Sequence, residues 1–236
     1  MFAILSALEA ELSGFLLKTE IKKIDSWNGL QITLGNFAGR DCVLAYTGIG
    51  KVNAAVLTTH IIDFYSPGYI FFTGIAGALN SDLNIGDVVI AEDCVQWDVD
   101  ISSFGFKIGE LPQSGFSSEN KSTVRFYKTD SGLMASALNW KPGGYKLMVG
   151  RILTGDSFID KKKQTEKESV FNDLNGCVVE MEGAASAASA YLQNIPFFLA
   201  RVISDTCIGE RPKKFKKFMI DSSKKASELI GYIIKD

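Results

Sequence analysis

Residues 41–65, DCVLAYTGIGKVNAAVLTTHIIDFY, decide the fold. Asp41–Thr47 is a short apolar run of strand length, Gly48-Ile49-Gly50 is a tight turn, and Lys51–Tyr65 runs on without glycine or proline as a helix. Outward from this β–turn–α unit the same alternation recurs. Phe2–Ala7 reads as a strand. Leu8–Lys18 reads as a helix, with Leu8, Leu12, Phe15 and Leu16 on one face. Asn28-Gly29 joins Ile21–Ser26 to Leu30–Phe37 as a hairpin. Tyr69–Thr73, Asp87–Ala91, Lys146–Thr154, Cys177–Glu180 and Phe197–Ile203 are further strands. Ser131–Trp140, Glu182–Asn194 and Phe215–Ile234 are helices, and Lys161–Asp173 is a solvated helix or loop. Gln96 to Thr129 is too long for a plain connection and reads as functional or interfacial. The expected class is α/β: a three-layer αβα sandwich with a central mixed β-sheet, the hairpin supplying its antiparallel part.

The chain has 236 residues, 46% hydrophobic and 22% charged, the balance of a single globular domain, here 1–236. With 25 basic and 27 acidic residues the net charge is -2, which gives no electrostatic case for nucleic acid. No apolar run approaches the ~20 residues of a bilayer span. The N-terminus has no basic segment of a signal peptide, so a soluble, cytoplasmic protein is expected, with no membrane partner. Cys42, Cys94, Cys177 and Cys207 are widely spaced in or beside apolar stretches and read as free thiols. The one histidine, His60, excludes multi-histidine metal sites, and no metal or cofactor is expected. Acid–base chemistry falls to carboxylates.

Gly48-Ile49-Gly50-Lys51 invites a nucleotide-loop reading and fails it. Ala45 stands where a Walker loop needs its first glycine, Val52 where it needs Ser or Thr, and Asn53 where a dinucleotide fingerprint has its third glycine. Three strand ends carry acids instead. Cys177-Val178-Val179 runs into Glu180-Met181-Glu182, Ala200–Ile203 runs into Ser204-Asp205, and Phe2–Ala7 is followed by Glu9 and Glu11. Each has an ordinary reading as a helix cap or first-turn acid. Ligands of α/β sheets, however, bind at the carboxyl ends of strands, and the arrangement recurs.

Six segments in this order carry a resemblance: Ala7-Leu8-Glu9-Ala10-Glu11-Leu12, Thr47-Gly48-Ile49-Gly50-Lys51-Val52, Thr73-Gly74-Ile75-Ala76-Gly77, Thr154-Gly155-Asp156-Ser157-Phe158-Ile159, Val179-Glu180-Met181-Glu182 and Ile203-Ser204-Asp205. Together they resemble the 5′-methylthioadenosine/S-adenosylhomocysteine nucleosidases of the nucleoside phosphorylase superfamily. The resemblance implies a nucleoside phosphorylase-like fold. It also implies hydrolysis of the N-glycosidic bond of methylthioadenosine and S-adenosylhomocysteine, with 5′-deoxyadenosine as a further substrate, in methionine salvage and the activated methyl cycle. By that resemblance Asp205 is the general acid toward the adenine, oriented by Ser204, and Glu11 handles the attacking water. Glu182 accepts the ribose hydroxyls, and Met181 lies against the sugar. Phe158 and Ile159 hold the base, where packing is the ordinary reading of Phe158. Leu8 and Phe215 surround the sugar and thioether, and Ile49, Ile75, Ala76, Gly77 and Glu180 complete the pocket. Ile101, Phe104 and Pro112 match residues that reach the neighbouring subunit's thioether pocket, which implies a homodimer.

This chain departs from the pattern at Ile75, where several nucleosidases carry Ser, and at Leu8, where some carry Met. Cys207–Lys214 is also unlike the family's versions. Arg211, Lys213, Lys214 and Lys216 read as a solvated face. The rival readings are a phosphate-dependent phosphorylase, a futalosine-type hydrolase and a non-catalytic nucleoside-binding protein. Carboxylates where the phosphorylase branch supplies cations favour hydrolysis.

Overall fold

The computed structural model describes residues 1–113, 122–206, 209 and 212–236. Cys207, expected as a free thiol, and Arg211, expected on a solvated face, lie outside these. β1 (Phe2–Ser6) leads into α1 (Glu9–Leu16), and β2 (Glu20–Trp27), β3 (Leu30–Phe37) and β4 (Arg40–Tyr46) follow. α2 (Lys51–Tyr65) precedes two long strands, β5 (Ile70–Ala78) and β6 (Val88–Gln96). Among its described residues, the stretch from Gln96 to Thr129 holds a 3-10 turn at Ser102–Phe104 and three two-residue strands, β7 (Leu111–Pro112), β8 (Thr123–Val124) and β9 (Tyr127–Lys128). α3 (Ser131–Asn139), β10 (Leu147–Thr154), α4 (Lys161–Asp173), β11 (Gly176–Glu180), α5 (Gly183–Leu192), β12 (Phe197–Asp205) and α6 (Phe215–Lys235) complete the chain.

The central sheet runs β11-β10-β6-β12-β5-β1-β4-β3-β2, with β9 added to β6. It is mixed: β4, β1, β5 and β12 are successive parallel neighbours, while β12–β6 and the β2–β3–β4 meander are antiparallel. Asn28 (φ 50) and Gly29 (φ 80) both occupy the left-handed region that a two-residue hairpin turn requires. α2 and α5 cover one face through Leu57, Ile61, Ala184, Ala187 and Ala190. α1, α3 and α6 cover the other through Leu12, Phe15, Ala137, Leu229, Ile230 and Ile233.

Two strands run five residues past their expected ends. The sequence ends one strand at Thr73, yet β5 continues through Gly74 and Gly77 to Ala78. Its far half turns from β1 to pair antiparallel with β11, Val178 opposite Ala78 and Val179 opposite Gly77, so this half of the sheet curls back on itself. β6 continues past Ala91 through Glu92 and Asp93 because Asp93 is buried against Arg151, with Oδ2 accepting Nη2–H at 2.9 Å. His60 lies in α2 with its ring stacked on Trp27 at 4.1 Å, a packing position outside the cavity described below. Cys42, Cys94 and Cys177 are free and buried. Among the described residues no helix is long and apolar enough to cross a membrane.

Candidate active site

The carboxyl ends of β1, β5, β11 and β12 converge on one cavity of about 250 Å³. Its walls include every residue expected to meet substrate within one chain. The catalytic candidates Glu11 and Asp205 are there, with Leu8, Ile49, Ile75, Ala76, Gly77, Phe158, Ile159, Glu180, Met181, Glu182, Ser204 and Phe215. Ala7, Ser157 and Val179 line it as well. Ile101, Phe104 and Pro112 do not. They lie in the excursion between β6 and α3, and Phe104 is 79% exposed.

Glu11 is placed by the contact between α1 and α6. Gly14 lets the two helices touch: a Cβ there would come within 2.6 Å of the Ser223 and Lys224 backbone. Ser223 Oγ fills the junction, accepting the Gly14 N–H and donating to the Glu11 carbonyl. The Glu11 carboxylate then turns back over its own helix start. Its Oε2 accepts the N–H groups of Ala7 (3.0 Å) and Leu8 (2.8 Å), and its Oε1 accepts that of Ile75 (2.9 Å). The first-turn reading and the cavity reading of Glu11 are therefore both true. Ile75 has no side-chain hydroxyl to offer, yet its backbone N–H still reaches the site. Burial pushes the Glu11 carboxyl up, and Arg201 together with these three donors draws it back toward ionisation.

Glu180 and Glu182 part company in role. Glu180 Oε1 accepts the hydroxyl of Thr154 and the Gly183 N–H (3.0 Å). Its Oε2 accepts the N–H groups of Gly183 (2.8 Å) and Glu182 (3.1 Å) and pairs with Arg201 Nη2. Thr154 Oγ1 in turn accepts the Ala184 N–H at 2.8 Å. The cap of α5 is thus made by Glu180 and Thr154. Glu182, the residue at the cap position, makes no side-chain cap, contrary to its ordinary reading. Glu180 borders the cavity, but its oxygens are committed to protein donors, so it acts as a brace. Glu182 Oε1 instead accepts the Gly50 N–H at 2.9 Å, and Oε2 stands 3.7 Å from Arg201 Nη2. Burial first, and the neighbouring Glu180 second, push the Glu182 carboxyl up to about 7.

Arg201 was not singled out in the sequence, although a lone cation inside the apolar run of β12 was a usable signal, since arginine is seldom buried without partners. It is 1% exposed, lies over the Phe72 ring at 4.9 Å, and among the described residues is the one cation set between Glu11, Glu180 and Glu182. Burial opposes its charge, and the three carboxylates hold it protonated. Gly74 makes room for this cluster: a Cβ there would come 2.5 Å from Arg201 Nη1 and 2.6 Å from Glu11 Oε1. On the far wall Ser204 Oγ lies 2.8 Å from Asp205 Oδ2 and 3.2 Å from the Ala76 carbonyl, a geometry that fixes the Asp205 carboxyl. Phe158 (52% exposed) and Phe215 (47%) stand at the mouth, so Phe158 is not core packing. Among the described residues no cluster of His, Cys, Asp and Glu has the form of a metal site.

A mixed sheet between helical layers, with an acidic cleft at its strand ends, defines a protein of the phosphorylase superfamily, and residues 2–235 match the family model of that description. The 5′-methylthioadenosine/S-adenosylhomocysteine nucleosidase of Bacillus subtilis (strain 168) is 34% identical over 236 residues, covering 99% of this chain and 97% of that protein. The Neisseria meningitidis nucleosidase of the same name, in complex with methylthio-immucillin-A, superposes with a TM-score of 0.86 at 29% identity, covering 99% and 98% of the two chains. The futalosine hydrolase of Helicobacter pylori strain 26695 superposes with a TM-score of 0.84 at 28% identity, covering 99% and 97%. The chain belongs to the 5′-methylthioadenosine/S-adenosylhomocysteine nucleosidase family.

Proposed function

We propose that this protein hydrolyses the N-glycosidic bond of 5′-methylthioadenosine and S-adenosylhomocysteine, and of 5′-deoxyadenosine, releasing adenine. Its place is in methionine salvage and the activated methyl cycle. One observation carries the choice of hydrolysis over phosphorolysis. Among the described residues the cavity is lined by Glu11, Glu180, Glu182 and Asp205 and by no lysine or arginine. Arg201 is enclosed by carboxylates behind that wall. A phosphate dianion needs cationic donors beside the ribose and would meet like charge here. Water meets no such barrier.

Cleavage leaves an oxocarbenium-like ribosyl cation and a purine that must take up a proton. Asp205, oriented by Ser204, donates that proton toward N7 of adenine. Glu182 accepts the 2′- and 3′-hydroxyls through its oxygens. Glu11 orients water and removes its proton. Phe158 stacks on the base, Ile159 bonds it through its backbone, and Met181, Leu8 and Phe215 enclose the sugar and thioether. Separate carboxylates on separate elements serve this chemistry well, because each job needs its own direction and charge state. We read residues 1–236 as one nucleosidase domain acting as a cytoplasmic homodimer. The exposed Phe104, with Ile101 and Pro112, would enter the partner's thioether pocket. The similarity to a futalosine hydrolase makes futalosine-type nucleosides the second substrate class to assay.

The test is adenine release from methylthioadenosine by purified protein in phosphate-free buffer. Asp205→Asn should lower kcat by at least ~10²-fold, the usual contribution of a general acid. A strict phosphate requirement would sink the hydrolase assignment, and full activity in the variant would remove the role of Asp205.

A further inference from the structure

Lys51 follows the glycine turn, and the chemistry above makes no use of it. Its Nζ donates to Asp98 Oδ1 at 2.7 Å, with the two side chains 16% and 24% exposed. Asp98 Oδ2 accepts the Asp156 N–H at 2.9 Å, and Asp156 Oδ1 accepts the Lys51 N–H at 2.8 Å. The three residues close a ring. They come from three parts of the chain: Lys51 opens α2, Asp98 follows β6, and Asp156 follows β10.

The ring exists because α2 cannot cap itself. Gly50 holds the cap position with φ +97 and has no side chain to offer, so Asp156 supplies a carboxylate to the first turn from a different strand end. Each corner then adjoins a functional wall. Gly50, next to Lys51, donates its N–H to Glu182 Oε1 at 2.9 Å. Ser157, Phe158 and Ile159, directly after Asp156, line the cavity. Ile101 and Phe104, just beyond Asp98, belong to the segment assigned to the partner's pocket.

We propose that Lys51, Asp98 and Asp156 are positioning residues for the glycosidic hydrolysis. The ring holds the backbone donor of the sugar carboxylate, the base-stacking strap and the partner-directed segment at fixed separations. None of the three touches substrate. They act through Gly50 and Phe158, so the inference rests on the hydrolase reading of the cavity. Contacts to base and sugar exist before the bond breaks, so loosening them weakens ground-state and transition-state binding alike and is read in KM.

The test is steady-state kinetics on methylthioadenosine, with melting temperatures alongside. Asp156→Ala should raise KM about tenfold with kcat within about threefold of wild type. Asp156→Asn, whose amide oxygen can still accept the Lys51 N–H, should restore both values to within about threefold. Lys51→Gln leaves the cap in place and releases Asp98, and should raise KM by about three- to tenfold. An unchanged KM in Asp156→Ala, a fall confined to kcat, or Asp156→Asn as impaired as Asp156→Ala would overturn the proposal. If Asp156→Ala does not fold, folded Lys51→Gln decides: a wild-type KM there overturns it. If the wild-type protein itself releases no adenine, the hydrolase reading fails separately. The ring is then judged by adenine affinity in calorimetry, where weakening in Asp156→Ala with recovery in Asp156→Asn supports it and equal affinities refute it.

Discussion

Glu182→Gln should make the protein more stable while damaging its site. Glu182 is 6% exposed, and burial together with Glu180 moves its carboxyl from 4.5 to about 7. The unfolded chain returns it to the ordinary value, so the folded state binds this proton more tightly. Its contribution therefore favours folding in full below pH about 4.5 and is lost as the pH rises through about 7. Over that interval, at about 1.36 kcal/mol per pH unit, the loss comes to roughly 3 kcal/mol. Glutamine has nearly the same shape, carries no charge at any pH, and keeps an oxygen for the Gly50 N–H. Urea unfolding at pH 4.5, 6, 7 and 8 is the assay. The variant should match wild type at pH 4.5 and exceed it by up to ~3 kcal/mol at pH 8. Adenine release should fall at the same time, since an amide is a poorer acceptor for two hydroxyls. A stability difference that is flat with pH, or a wild type more stable at pH 8, would refute the reasoning. Either would mean that Arg201 holds Glu182 as a stabilising anion.

If Glu182 accepts the ribose hydroxyls as proposed, binding needs it ionised, and kcat/KM of the wild type should fall as the pH drops below about 7. Glu180→Gln removes the main charge opposing that ionisation and leaves Arg201 to Glu182, so this acidic limb should move to lower pH. An unmoved limb in the pH–rate profile would exclude the coupling. Arg201→Met leaves three buried carboxylates without their cation and should cost about 3–5 kcal/mol in urea unfolding, more at pH 8 than at pH 5, where the raised carboxyls of Glu11 and Glu182 can take up protons. Equal stability would show that the cluster is already largely protonated. Gly74→Ala puts a Cβ 2.5 Å from Arg201 Nη1 and 2.6 Å from Glu11 Oε1. Displacement of the order of 1 Å at such a site should lower adenine release by up to ~10²-fold, and wild-type turnover would disprove the close fit.

The elements whose periodicity is local were legible in the sequence. Lys51–Tyr65 is a helix over those same residues, and the Asn28-Gly29 hairpin closes as its turn chemistry requires, while Lys161–Asp173, left open between helix and loop, is a helix. The site was legible through its segments in family order, and the walls of the cavity contain each single-chain candidate. What was misread depended on partners distant in the chain. The strand expected to stop at Thr73 runs on because β11 and β12 pair with Gly74–Ala78, and the one expected to stop at Ala91 runs on past Asp93, which Arg151 meets from β10.

By itself, the sequence determined the order of strands and helices, the hydrophobic faces, and which acids end strands, because each depends on spacing along the chain. Only the tertiary structure decided which acid is spent on the protein and which is left to the cavity. Glu180 and Glu182 are two residues apart and chemically alike. One is consumed by Thr154, by the start of α5 and by Arg201, and the other faces the cavity with a single backbone donor. The charge of a carboxylate depends on how much water it has lost and which cation stands beside it, and here that cation lies on a different strand, about twenty residues further along the chain.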